Sequence, residues 1–149
     1  MRAYVALPLF LALTVGGGAL VGAATAPGEW YQALQKPWFN PPGWVFGPAW
    51  GMLYVLIGIA GWRVWHRGEL QAARIWWVQL GLNFVWPFLF FAAQMPGLAL
   101  VEVVALFAAI CGFVAYTWRE DRVSALLFLP YGAWVAYATL LNAAIWWLN

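Results

Sequence analysis

The stretch "GLALVEVVALFAAICGFVAYTW", residues 97–118, contains one acid, Glu102, and no base. A membrane-crossing helix needs roughly 20 consecutive, mostly apolar residues, and this run has that length. Its side chains do not alternate between apolar and polar, the pattern that a barrel strand requires. The reading is therefore a transmembrane α-helix, and it sets the terms for the rest of the chain.

Four further charge-poor runs of similar size occur at about 4–25, 44–63, 73–94 and 123–147. The 149 residues are 66% hydrophobic and only 8% charged, and a soluble domain would need far more charge to cover its surface. We expect an all-α integral membrane bundle of five transmembrane helices, one domain over 1–149 with a single structured loop at 26–43. The first run shares features with a secretory signal, since Arg2 precedes it and Ala24 and Ala26 stand in an A-x-A arrangement at its end. Its length, and Pro27 directly after the would-be cut, favour a retained helix.

Seven basic and five acidic residues give a net charge of +2, too little and too dispersed for a nucleic-acid surface. Cys111 is the single cysteine. It excludes an intrachain disulfide and a cysteine-based metal site, and we expect it to be a small core residue. His66 falls in a basic connection and reads as a solvated side chain. Ser-His-Asp patterns, paired carboxylates, glycine-rich phosphate loops and metal-ligand spacings are all absent from the sequence, so ordinary acid-base, nucleophilic or metal catalysis has no support.

Short connections at 63–74, 94–97 and 119–122 impose an up-and-down order, so alternate loops share a side. Arg2, Arg63, Arg67, Arg74, Arg119 and Arg122 fall on the side of the N-terminus, and Lys36 is alone on the other. The positive-inside rule then puts the N-terminus in the cytoplasm, for an inner-membrane protein, and the first loop outside. That loop carries Lys36-Pro37 and Asn40-Pro41-Pro42. Proline fixes φ and removes a donor, so the expectation is a stiff lid over the bundle, preceded by one or two helical turns at 29–34. Trp30, Tyr31, Trp38 and Trp44 either form an aromatic belt at headgroup depth or turn inward.

Polar side chains within the spans need partners or a ligand. Gln79, Asn83, Trp86 and Phe90 share one face of the third span by their four, three, four spacing. Trp134, Ala138 and Asn142 share a face of the fifth, with Tyr131 one turn earlier, and Trp50 and Tyr54 lie four apart in the second. Rings with a few donors and acceptors suit a flat, mostly apolar ligand; equally, the amides serve as bonds between helices. Gly18 and Gly22, Gly47 and Gly51, and the stripe Ala105, Ala108, Ala109 and Gly112 mark close helix approach, within or between subunits. Glu102 is either a proton-coupling carboxylate or an interfacial acid.

The segments "EWYQALQKPWFNPPGWVFGPAWGMLY" (29–54), "VQLGLNFVWPFLFF" (78–91) and "LFLPYGAWVAYATLLNAAIWWLN" (127–149) resemble the TspO/MBR family, the tryptophan-rich sensory and translocator proteins once called peripheral benzodiazepine receptors, and among them the bacterial members. The resemblance runs almost end to end. It implies a five-helix bundle, usually a homodimer, which requires no cofactor but binds tetrapyrroles such as protoporphyrin IX and haem, isoquinoline and benzodiazepine-type compounds and, in eukaryotic members, cholesterol. Carried onto matching positions, it implies a pocket under the first loop lined by Tyr31, Pro41, Trp50, Tyr54, Asn83, Trp86, Phe90, Trp134 and Ala138. Trp38 and Asn142 are added as candidates. The resemblance leaves a sensor, regulator or transporter of porphyrins beside a light-dependent porphyrin-degrading enzyme that uses Trp50 and Trp134; a proton-coupled exporter built on Glu102 is a third reading. No lysine or arginine follows Arg122, so the eukaryotic sterol motif is missing from the last span; the loose match at 114–119 is a weak pattern.

Overall fold

The computed structural model describes residues 2–149; the side chain of Arg2, counted above on the N-terminal side, lies outside the described ones. Five long helices are joined by one short one. They are α1 (Tyr4–Ala24 as a span), α3 (Gly43–His66), α4 (Leu70–Ala92), α5 (Pro96–Glu120) and α6 (Arg122–Leu148), with the short α2 at Glu29–Ala33. No strand occurs among the described residues. Each long helix is apolar and long enough to cross a bilayer. Hydrocarbon supplies no partner for a free N–H or C=O, so these runs satisfy their backbones internally. The chain is an integral, multi-pass membrane protein of the expected class.

Two connections are shorter than the sequence suggested. The second span does not stop at Arg63 but continues to His66, and the third begins at Leu70 rather than at 73. Only residues 67–69 turn the chain, with Gly68 at φ +72°. The fourth and fifth spans are parted at Asp121 alone. Charge does not end these helices, because basic side chains are favourable in the last helical turn and reach water from there. His66 closes α3, exposed as expected, with its ring stacked on Trp62 at 5.8 Å and 5°.

The same end of the bundle holds its ion pair. Arg63 donates to both oxygens of Asp121, at 3.0 and 2.8 Å, and the Ser124 hydroxyl donates to it as well. Burial pushes the Asp121 carboxyl up, but the bonds from Arg63 and Ser124 and the charges of Arg63 and Arg67 outweigh it and hold the group below the usual carboxylate range. A folded-state pKa below the unfolded one adds stability that is complete above the ordinary value of 3.8 and is lost as pH falls through the lowered folded value. The unfolding midpoint in detergent should therefore drop on acidification below about pH 4, and Asp121→Asn should lower the neutral-pH midpoint and flatten that acid limb. An unchanged acid limb in the variant would remove Asp121 from the account.

The helices form a ring in the order α1, α3, α6, α5, α4, closed by contact of α4 with the second half of α1. Among the described residues, two stretches inside the spans are π turns. Residues Ala12–Gly16 form a π turn that directs Thr14 inward, where its hydroxyl donates to Tyr54 O at 2.7 Å. Pro87 offers no N–H to the helix, and the π turn Phe88–Ala92 follows it and carries Phe90 into the interior, 2% exposed.

The core is unevenly placed. Ile57, Val64, Trp76, Leu80, Ile110, Phe113 and Phe128 are fully buried in the half of the bundle nearest the α3–α4 turn. There Gly61 packs directly on the indole of Trp76, and a methyl group would overlap that ring. The half beneath the lid is hollow. Outside, Val55, Trp77, Val101 and Leu140 are exposed, as lipid-facing side chains are. Cys111 is exposed too, which corrects its expected place in the core: in a membrane helix the lipid face is as apolar as the inside, and composition does not separate them. Ala105, Ala108 and Gly112 face outward beside it.

Candidate functional site

All six helices contribute to a cavity of about 750 Å³ under the lid, within the roughly 300–1,000 Å³ typical of small-molecule sites. Tyr31, Pro41, Trp50, Tyr54, Asn83, Trp86, Phe90, Trp134, Ala138 and Asn142 all line it. Trp38 does not. It is 95% exposed and sits edge-on to Phe39. The backbone turns between Pro37 and Asn40, whose N–H donates to Pro37 O at 3.1 Å, and Trp38 is at the outward tip of that turn. Trp44 is also exposed, whereas Trp30 packs on Phe90 at 5.9 Å; the loop aromatics are thus divided between an exposed pair and an inward-packed one.

The lid is built from α2 and the proline segment, and side chains tie it down. Lys36 Nζ donates to Tyr31 O at 2.7 Å and Leu34 O at 3.3 Å, closing the end of α2, and lies 4.5 Å from the centre of the Tyr31 ring. The Tyr137 hydroxyl of α6 donates to Phe39 O. Asn149 holds Gln35 from both sides, accepting from its N–H at 3.0 Å and donating to its C=O at 2.9 Å. Burial pushes the Tyr31 hydroxyl pKa up, partly offset by a hydrogen bond with Asn40, so the phenol stays protonated at the cavity's lip.

The floor is a hydrogen-bond chain. Tyr54 OH donates to Asn83 Oδ1 (2.7 Å), Asn83 Nδ2 to Tyr131 OH (2.7 Å), Tyr131 OH to Gln79 Oε1 (2.8 Å), and Gln79 Nε2 to Trp76 O (2.8 Å). Gln79 and Tyr131 have no exposed surface. Higher on the wall, Trp86 Nε1 donates to Asn142 Oδ1 at 3.0 Å, and Asn142 Nδ2 to Pro96 O at 2.8 Å. The amides of Asn83 and Asn142 are therefore both bonds between helices and cavity wall. Each of their polar atoms already holds one partner, and each NH2 group keeps a second hydrogen.

The aromatic wall is continuous. Trp50 meets Trp134 at 6.5 Å and 89°, and Tyr54 at 5.6 Å; Trp86 stacks on Phe90 at 5.0 Å. Two buried polar atoms of the lining lack partners among the described residues, Trp134 Nε1 and Asn40 Oδ1. A flat ligand would find rings on several sides, one free donor deep inside and one free acceptor near the lip. Glu102 is half-buried, its oxygens unpartnered among the described residues, and it is not part of the lining.

Sequence reasoning missed the contribution of α1 altogether. Gly18, Val21, Gly22 and Thr25 line the cavity, as do Lys36 and Asn40. The glycine pairs were the available signal, but they read as helix contacts. Gly18 does receive the Tyr54 ring, whereas a methyl group at Gly22, Gly47 or Gly51 would meet nothing within 4 Å. These three leave space instead of closing it.

Residues 9–148 match the family model described as the TspO/MBR family. The chain is similar to the Tryptophan-rich protein TspO of Archaeoglobus fulgidus, with 41% identity over 92% of this chain and 91% of that protein. It is 37% identical to the Translocator protein of Homo sapiens, over 87% and 82% of the two chains. The Tryptophan-rich sensory protein of Cereibacter sphaeroides is 37% identical over 97% and 92%.

Proposed function

The chain belongs to the TspO/MBR family, and from that premise we propose that it binds a tetrapyrrole, protoporphyrin IX or haem, in the cavity beneath the lid, as a membrane sensor, regulator or transporter of porphyrins. The observation that carries this reading is the convergence of the residues assigned to the ligand pocket from the sequence, Trp38 excepted, on one aromatic cavity. Isoquinoline and benzodiazepine-type compounds would compete for the same space. Dark titration of protoporphyrin IX into the detergent-solubilised protein, followed by tryptophan quenching, should be saturable and displaced by such a competitor. Quenching that rises without saturation would sink the assignment.

The edge-to-face pair of Trp50 and Trp134 favours one second reading, light-driven loss of the bound porphyrin with an indole as electron donor and dioxygen as oxidant. Illumination of the saturated complex separates the two. Loss of the porphyrin spectrum in wild type, abolished in Trp50→Phe/Trp134→Phe while dark binding persists, would favour degradation; equal loss in both would favour a carrier or sensor.

The proposal extends to pairing of two copies. Small residues let helices approach closely, and the outward Ala105, Ala108 and Gly112 of α5 suit such a contact. Oxidation of membranes should give a covalent dimer through Cys111 that Cys111→Ser cannot form. Monomer alone would move the contact off this face.

A further inference from the structure

Among the residues that line the cavity, Lys36 is the one with a charged side chain. Its two hydrogen bonds are to main-chain carbonyls, which fix the ammonium without neutralising it. An ammonium has three donors, so one remains. No carboxylate of the described residues lies within ion-pair distance of Lys36, the ion pair among them being Arg63–Asp121 at the opposite end. The cavity is thus polarised along its depth, cationic at the lid and apolar and aromatic at Trp50 and Trp134.

A neutral apolar ligand would leave that half-buried charge with only two carbonyl dipoles and the face of the Tyr31 ring, and no counter-charge. A flat apolar body with a carboxylate on its rim would answer it, with the acid at the lip and the rings inside. Resting on the porphyrin reading above, we infer that Lys36 makes the site selective for the acid form of its ligand, by pairing with a peripheral carboxylate at the lid. This sets the ligand's orientation as well as its class. A hydrogen bond to a charged group is worth more than a neutral one, and partial exposure of Lys36 reduces the gain. The expected preference for acid over ester is about tenfold.

The test compares protoporphyrin IX with its dimethyl ester, which has the same ring but no charge, in the dark at low salt. Wild type should bind the diacid about tenfold more tightly than the ester, and the margin should narrow as salt is raised. Lys36→Gln should lose the preference by weakening the diacid about tenfold more than the ester, and Lys36→Arg should keep it. Equal weakening of both ligands in Lys36→Gln would mean that Lys36 only shapes the lid, and would overturn the inference. So would a preference that survives the substitution, or wild-type binding of both ligands without a preference. If neither porphyrin saturates the wild type, the porphyrin reading falls and this inference with it.

Discussion

Gly51→Leu is expected to abolish most ligand binding while leaving the protein as stable as wild type or more so. Gly51 lies in α3 at the cavity wall, and nothing stands within 4 Å of where its Cβ would be. Replacing a helical glycine removes a backbone-entropy cost of about 0.5–1 kcal/mol, so the thermal midpoint should hold or rise. The added side chain takes space that a ligand needs. Packing around an excess group costs about 1–3 kcal/mol, which is roughly a 5- to 150-fold loss of affinity. The opposite signs are what make the result informative, because a variant that merely misfolded would lose both. Gly47→Leu, one turn earlier and equally open, should behave alike. Retained affinity in both would show that ligand does not occupy this cavity.

Tyr131→Phe should be the most destabilising loss of a single atom in the bundle. The Tyr131 hydroxyl accepts from Asn83 and donates to Gln79 at a point with no exposure. Without it, an amide donor and an amide acceptor are both left unpaired. Each orphaned buried group costs about 1–3 kcal/mol, whereas hydrogen bonds in membrane bundles average nearer 0.6 kcal/mol because the loosened state finds substitutes. Full burial at this position leaves no substitute within reach, and we expect about 2–4 kcal/mol. Gln79→Leu combined with Tyr131→Phe should cost less than the sum of the two single changes, since the double variant removes a donor and acceptor together. Thermal unfolding of the four proteins in detergent measures the coupling; simple additivity would mean that the chain of bonds is not a unit.

The spans were legible because the bilayer makes one demand of every backbone in it, and the runs around Glu102, Asn83 and Asn142 could meet it only as helices. Faces were legible as well. The four, three, four spacing of Gln79, Asn83, Trp86 and Phe90 did put those side chains toward the interior, although Phe90 sits within the π turn Phe88–Ala92. Whether an amide is glue or pocket was not legible, because Asn83 is both. Trp38 and Tyr31 look alike in a loop rich in rings, and only the turn at 37–40 sends one outward. Helix ends were missed where charge continued a helix, as at Arg63. Small residues were the most ambiguous. Gly18 marks a contact and Gly22 a void, and the difference lies in what the facing helix presents.

The close packing around Trp76 and Phe128, set against the open half under the lid, closes the cavity toward the α3–α4 turn. Beneath it the bonds of Tyr54, Asn83 and Tyr131 join α3, α4 and α6. Passage through to the other side would require the floor to part, and the bonds of Tyr131 set the cost of opening it.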